Sequence, residues 1–135
     1  MFKQGDIVVR GKVDRILPNR TDYSFQIDLN THVDLDEPAR LLNHSCDPNL
    51  GLRSNEFGGY DFVALREIAE YEELCWDYCM SEYISIAVSG NCLCGSNICR
   101  REITGFKYLP QETKNKYGKF IADYLKGSKK ILLYL

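Results

Sequence analysis

Cys92, Cys94 and Cys99 form a C-x-C-x4-C cluster inside the ten residues NCLCGSNICR, 91–100. Three thiols in one turn-rich loop are one ligand short of a zinc site, because zinc favours four ligands in a tetrahedron with Zn–S near ~2.3 Å. A water or a distant side chain completes such a set. Cys46 is the natural candidate, and it would tie the cysteine loop down onto its own segment, LLNHSCDPNL, 41–50. In that segment seven polar or turn-forming residues, Asn43 to Asn49, follow two leucines, a run suited to building a site or a turn rather than a core. Three free thiols in a loop is the plainer alternative, and their density beside Gly-Ser-Asn argues against it. Cys75 and Cys79, next to a strand, are expected to be small buried apolar groups.

Other pairings carry less chemistry. His44, Cys46 and Asp47 resemble a metal triad by type, but neighbouring side chains of an extended segment diverge. Ser45 beside His44 makes no catalytic dyad by adjacency alone. In ELCWDY, 73–78, Trp76 and Tyr78 are two apart and in a strand would share a face, an apolar wall beside a hydroxyl.

These residues need short elements to hold them. Strands are expected at 7–9 (IVV), at 22–29 (DYSFQIDL, alternating around Tyr23, Phe25 and Ile27), at 31–35 and at 60–65, and ELCWDY (73–78) and YISIAV (83–88) read as further apolar stretches. DEPAR, 36–40, is a turn. From Gln111 to Leu125 the spacing of Tyr117, Phe120, Ile121, Tyr124 and Leu125 predicts one helix with an apolar face. ILLYL, 131–135, is apolar. Many short strands with one late helix make the chain mainly β.

The chain of 135 residues suits one domain, and its 44% hydrophobic and 27% charged residues are those of an ordinary globular protein. A net charge of -2 offers no broad pull toward nucleic acid or an anionic membrane, so no direct nucleic-acid or membrane partner is expected. No apolar run approaches the ~20 residues of a membrane span, and MFKQGDIVVR lacks a signal-peptide core. An intracellular location is expected, where six cysteines speak for metal or chemistry rather than disulfides.

Three pieces then coincide. LLNHSCDPN (41–49), EELCWDY (72–78) and CLCGSNIC (92–99) resemble the two signature motifs and the post-SET zinc motif of SET-domain protein lysine methyltransferases, in the same order and with similar spacing. YDFVALREIAEYEEL resembles the strand and turn leading into the second motif, and Arg40 stands where the family commonly has Arg. The short length resembles compact viral and bacterial members. The resemblance implies small β-sheets around a knot-like crossing, a post-SET zinc loop and a C-terminal helix. It divides the chain into a SET core (1–90), a zinc segment (91–109) and a helix with tail (110–135).

It also implies roles. Tyr78 matches the catalytic tyrosine. Asn43 and His44 match the pair that contacts S-adenosylmethionine, His44 through its backbone. Phe106 resembles the post-SET aromatic that covers the adenine or closes the lysine channel. Trp76 and Tyr23 would line that channel, and a Trp at position 76, where the family has Phe or Tyr, leaves the number of methyl groups open. Cys46, Cys92, Cys94 and Cys99 would hold one structural zinc. The partner would be a protein or peptide carrying a lysine, a histone among the candidates. The resemblance leaves the oligomeric state open.

The sequence departs from the family in three places. MFKQGDIVVRGKV resembles the segment just after the family's Gly-x-Gly turn, and that turn has no match in order. Tyr71 and Arg101 stand where Gly is usual. Two further readings therefore accompany an active methyltransferase: a catalytically inactive, zinc-bearing peptide- or partner-binding module, and a zinc-dependent nucleic-acid module, which the acidic balance disfavours.

Overall fold

The computed structural model describes residues 1–85 and 92–127. Its strands are β1 (Ile7–Gly11), β2 (Val13–Leu17), β3 (Phe25–Asp28), β4 (Thr31–Leu35), β5 (Asn43–His44), β6 (Leu50–Ser54), β7 (Tyr60–Ala64) and β8 (Cys75–Trp76). They form three small sheets: antiparallel β1-β7-β6, antiparallel β2-β4-β3, and the parallel pair β5-β8. This is the mainly β architecture expected.

The central strand β7, YDFVA, is buried along its whole length. Its one charge, Asp61, lies opposite Arg10 on β1 and Arg53 on β6. Both arginines reach it, at 3.2 and 3.3 Å, and Asn55 donates to it at 3.1 Å. A buried carboxylate needs such partners. The sheet centre thus fixes its own register by charge as well as by packing. Strand β2 escapes a reading of the sequence because Asp14, Arg15 and Ile16 are all exposed, so burial does not alternate along it. Strand β6 is hidden for a different reason: Gly51, within its apolar stretch, accepts the close approach of Leu65 and Phe120.

Three expectations are corrected. The strand read at 22–29 begins only at Phe25, and Tyr23 sits in a turn, its N–H bonded to Thr21 Oγ1 at 3.2 Å. Of ELCWDY only Cys75–Trp76 is strand; Tyr78 opens a 3-10 turn, Tyr78–Met80, capped by Asp77, whose carboxylate accepts the Cys79 N–H at 2.9 Å. Trp76 and Tyr78 are neighbours all the same, with ring centroids 5.1 Å apart. The expected C-terminal helix is two short ones, α1 (Gln111–Tyr117) and α2 (Asp123–Lys126). Gly118 breaks it at φ +54, its N–H closing the last turn onto Lys114, the usual glycine end to a helix. The apolar face survives the break: Tyr117, Ile121 and Leu125 are all buried. Residues 83–85 form no strand, and the rest of YISIAV, like ILLYL, lies outside the described residues.

The buried side chains make one connected cluster drawn from all three expected segments, from Phe25, Phe62 and Trp76 to Cys92, Ile103 and Tyr117. At its centre Trp76 stacks on Phe25 at 5.3 Å and meets Phe62 edge-on at 5.3 Å. Residues 104–107 run against 82–85, with Phe106 N–H to Glu82 O at 2.8 Å and Ser85 N–H to Thr104 O at 3.0 Å. Gly105, at φ +118, lies against the Tyr83 and Ile84 backbone where no Cβ would fit.

Candidate functional site

The four thiols of Cys46, Cys92, Cys94 and Cys99 lie within 4.8 Å of one another. The Cys46 and Cys92 sulfurs are 3.8 Å apart, close to the ~3.8 Å edge of a tetrahedron with ~2.3 Å Zn–S bonds. Backbone and ring donors to two of the sulfurs are in place. The Arg100 and Arg101 N–H groups point at the Cys46 and Cys99 sulfurs, each at 3.4 Å, and His44 Nε2 approaches Cys46 at 3.4 Å. Burial pushes the Cys46 thiol up, a penalty that a bound divalent cation removes. This donor set fits one zinc ion. Cys79 is fully buried, as expected, but Cys75 is not: it is half-buried and lines a cavity.

Two short segments, one from each motif, run side by side. β5 and β8 pair Asn43 with Cys75 and His44 with Trp76, and Ser45 N–H continues the ladder to Trp76 O at 2.9 Å. Beyond the ladder, His44 Nδ1 accepts the Tyr78 N–H at 3.0 Å. Asp77 Oδ1 lies 3.5 Å from the same nitrogen, within reach of an ion pair. The His44 ring nonetheless stays neutral. Nδ1 is already an acceptor, and burial lowers its pKa to about 4, Asp77 opposing the shift and Arg100 adding to it. His44 is therefore the Nε2–H tautomer, with its proton toward Cys46. Asp77 takes its charge partner elsewhere: Arg100 at 2.7 Å, with the Tyr117 hydroxyl donating at 2.5 Å. A fully buried carboxylate thus joins the second motif, the residue after Cys99, and α1.

Against this pair lies a cavity of about 580 Å3, lined by Asn43, His44, Ser45, Glu73, Cys75, Tyr78 and the cysteine-loop residues Cys92, Leu93 and Cys94. Its size suits a nucleoside-sized ligand. Asn43 Nδ2 leans toward Glu73 at 3.4 Å, so the wall offers an amide and a carboxylate to a polar guest. A second, narrow channel of about 20 Å3, the room of one water, lies between Tyr23, Phe25, Leu42, Trp76, Tyr78 and Glu82. Arg40 lies over the Tyr23 ring at its rim, 5.5 Å from the centroid.

Tyr78 is common to both linings. Burial, with lesser help from Tyr23 and Glu82, raises its pKa, and the approach of the His44 main chain opposes the shift only in part. The phenol stays protonated. Its hydroxyl is 3.5 Å from Leu42 O, too long for a strong bond, so its proton remains free to meet a ligand.

The structure sorts the residues singled out from sequence into three groups. Asn43, His44 and Tyr78 line the large cavity, Tyr23, Trp76 and Tyr78 the narrow channel, and the four cysteines converge. Phe106 is in neither lining; it packs against the core with Lys114 Nζ 4.6 Å from its ring centroid. Glu73 and Glu82 escape a reading by motif. Glu73 sits inside the second motif and could have been found there, whereas Glu82 had no signal of its own.

The family model described as "SET domain" matches residues 2–79. Similar proteins include the H3 lysine-4 specific histone-lysine N-methyltransferases of Neurospora crassa, 37% identical over 86 residues (59% of this chain, 6% of that protein), and of Chaetomium globosum, 33% identical over 105 residues (68% and 10%). The Saccharomyces cerevisiae protein of the same name is 36% identical over 86 residues, 59% of this chain and 8% of its own. The chain thus spans a tenth or less of these relatives. Among solved structures, KRYPTONITE in complex with mCHH DNA, an H3(1-15) peptide and SAH is 27% identical, with a TM-score of 0.49 over 66% of this chain and 22% of that one. The match over residues 2–79, on which both signature motifs and the β5-β8 pair fall, places this chain in the SET-domain family.

Proposed function

We propose that this chain is an S-adenosylmethionine-dependent protein-lysine N-methyltransferase. The observation that carries the reading is the single tyrosine, Tyr78, shared by a nucleoside-sized cavity and a narrow aromatic channel. Methyl transfer from a sulfonium to an amine is an in-line displacement, and two reactants held in pockets that share one lining residue can be aligned for it. Such alignment supplies ~7–11 kcal/mol of the barrier in well-oriented reactions.

S-adenosylmethionine, when bound, would supply the activated methyl group. Asn43, the His44 main chain and Glu73 would bind and orient it in the large cavity, next to the zinc loop. Tyr23, Phe25 and Trp76 would exclude water from the lysine stem. The Tyr78 hydroxyl would stand at the meeting point and orient the incoming amine. A lysine has a pKa near ~10.4 in water, and an apolar channel disfavours its ammonium form, so the aromatic wall helps present a neutral nucleophile. Zinc on the four cysteines would fix the loop that carries Leu93, a wall of the same cavity.

For the substrate, the names of the relatives make a histone H3 tail containing lysine 4 the first to try. Four thiols kept reduced for zinc, and a histone-type substrate, fit an intracellular setting. The test is calorimetric titration of the zinc-loaded chain with S-adenosylmethionine, followed by methyl transfer to an H3-tail peptide. Micromolar binding and a methylated lysine are expected. A folded, zinc-replete chain that binds no cofactor would overturn the reading and leave an inactive peptide-binding module.

A further inference from the structure

The aromatic channel has one feature that an apolar lysine tunnel does not require. Glu82 lines it, with its side chain only 7% exposed. The two carboxylate oxygens are used very differently. Oε2 accepts the Gln26 N–H at 2.9 Å and the Ser81 hydroxyl at 2.7 Å. Oε1 has one contact among the described residues, Arg20 Nη2 at 3.4 Å, at the long limit for a charged pair. An ionised carboxylate oxygen has room for about two donors. Burial pushes the Glu82 carboxyl up, while Ser81, Gln26 and Arg20 oppose the shift, and an arriving cation would add to their side. One anchored oxygen and one underused oxygen, on the wall of a channel with aromatic sides, make a fixed anionic acceptor. A second cation, Arg40, also lines the channel, with its guanidinium over the Tyr23 ring and 3.7 Å from Glu37.

We infer that Glu82 is a specificity-determining residue of the channel, whose Oε1 draws in the ammonium form of the substrate lysine and selects it against uncharged side chains of the same length. The inference rests on the methyltransferase reading above. It concerns capture rather than chemistry. A carboxylate favours the ammonium over the neutral amine that must react, so Glu82 improves substrate binding and leaves the transfer step unaided. Arg20 tempers its strength, since the guanidinium competes for the same oxygen.

The experiment compares two peptides on the zinc-loaded, cofactor-bound chain: the H3 tail, residues 1–15, with lysine 4 intact, and the same peptide with norleucine in its place. Norleucine keeps the stem and lacks the amine. The native chain should prefer the lysine peptide. Glu82→Gln should reduce that preference about tenfold, raise KM for the lysine peptide and leave kcat unchanged or higher, with norleucine-peptide affinity unmoved. Arg20→Gln keeps the carboxylate and removes its guanidinium partner, so it should enlarge the preference about threefold; this variant also keeps the test decisive if Glu82→Gln fails to fold. A lysine preference that neither substitution changes would overturn the assignment of Glu82 while leaving the methyltransferase reading intact. A native chain that methylates no lysine and draws no distinction between the two peptides would overturn both. Equal loss of affinity for both peptides in Glu82→Gln would mean that the carboxylate only holds Gln26 and Ser81 in place.

Discussion

His44 accepts the backbone N–H of Tyr78 through Nδ1 at 3.0 Å. The opposite nitrogen of the same ring is 3.4 Å from the Cys46 sulfur. A single neutral imidazole therefore spans the distance between the tyrosine shared by the two cavities and one of the four thiols of the metal site. It can do so only in one tautomer, which burial and the Tyr78 N–H together select.

Replacing His44 with Phe keeps an aromatic volume and leaves the Tyr78 N–H without its acceptor. An unsatisfied half-buried donor costs ~1–3 kcal/mol. Chemical denaturation should show a loss of that order, with one zinc per chain still present by metal analysis because the four thiols remain. Loss of the metal instead would mean that the ring serves Cys46 more than Tyr78.

Tyr78→Phe removes one hydroxyl and keeps the ring between Trp76 and His44. Calorimetry should find cofactor binding preserved. Radiolabelled methyl transfer should fall by ~10²–10³-fold, the usual cost of one well-placed donor in a transition state. An unchanged rate would remove the Tyr78 hydroxyl from the reaction.

Cys94→Ser leaves three thiols. Zinc content should drop well below one per chain, and the segment after residue 92 should exchange its amide hydrogens faster, since folding and metal binding are coupled. Adding zinc to the metal-free native chain should also release protons, because burial holds the Cys46 thiol in its protonated form when no cation is bound. Full occupancy in Cys94→Ser would refute the four-cysteine site.

Tyr71 and Arg101, the two residues standing where the family usually has Gly, are also the two non-glycine residues with positive φ among those described, 67 and 70. A left-handed backbone costs an ordinary side chain ~1–2 kcal/mol, and Gly gives back part of that relief through the freedom of its unfolded chain. Tyr71 is 98% exposed and loses no packing. Tyr71→Gly should therefore stabilise the fold by ~0.5–1 kcal/mol, seen as a higher denaturation midpoint.

Glu72 bonds the Arg66 guanidinium, and also the Ala69 N–H and Asn49, interactions that lower its pKa to about 2. A carboxyl depressed in the folded state binds fewer protons there than when unfolded, so its contribution is complete above pH ~4.5 and is lost as the pH falls toward ~2. The stability difference between the native chain and Glu72→Gln should shrink across that window. A difference independent of pH would mean that the bonds do not depend on the charge.

The sequence alone determined what depends on residue type over short spans. The C-x-C-x4-C loop, the polar NHSC run and the Trp-Asp-Tyr segment each show their chemistry within a few residues, and β4, bounded by polar turns, was legible to the residue. Even the two strained positions were visible, as side chains standing where glycine was expected. What only the tertiary structure decided involves contacts between distant residues. Period and spacing could not foresee that Tyr78 leaves the strand for an Asp77-capped turn, because Asp77 is held there by Arg100 and Tyr117, 23 and 40 residues away. They could not foresee the break at Gly118, since the buried face on either side keeps the same helical spacing. Above all they gave no sign of Glu82, a charged residue in an unremarkable stretch. Its meaning comes from Gln26, 56 residues earlier, which binds one of its oxygens, and from the channel that its side chain lines.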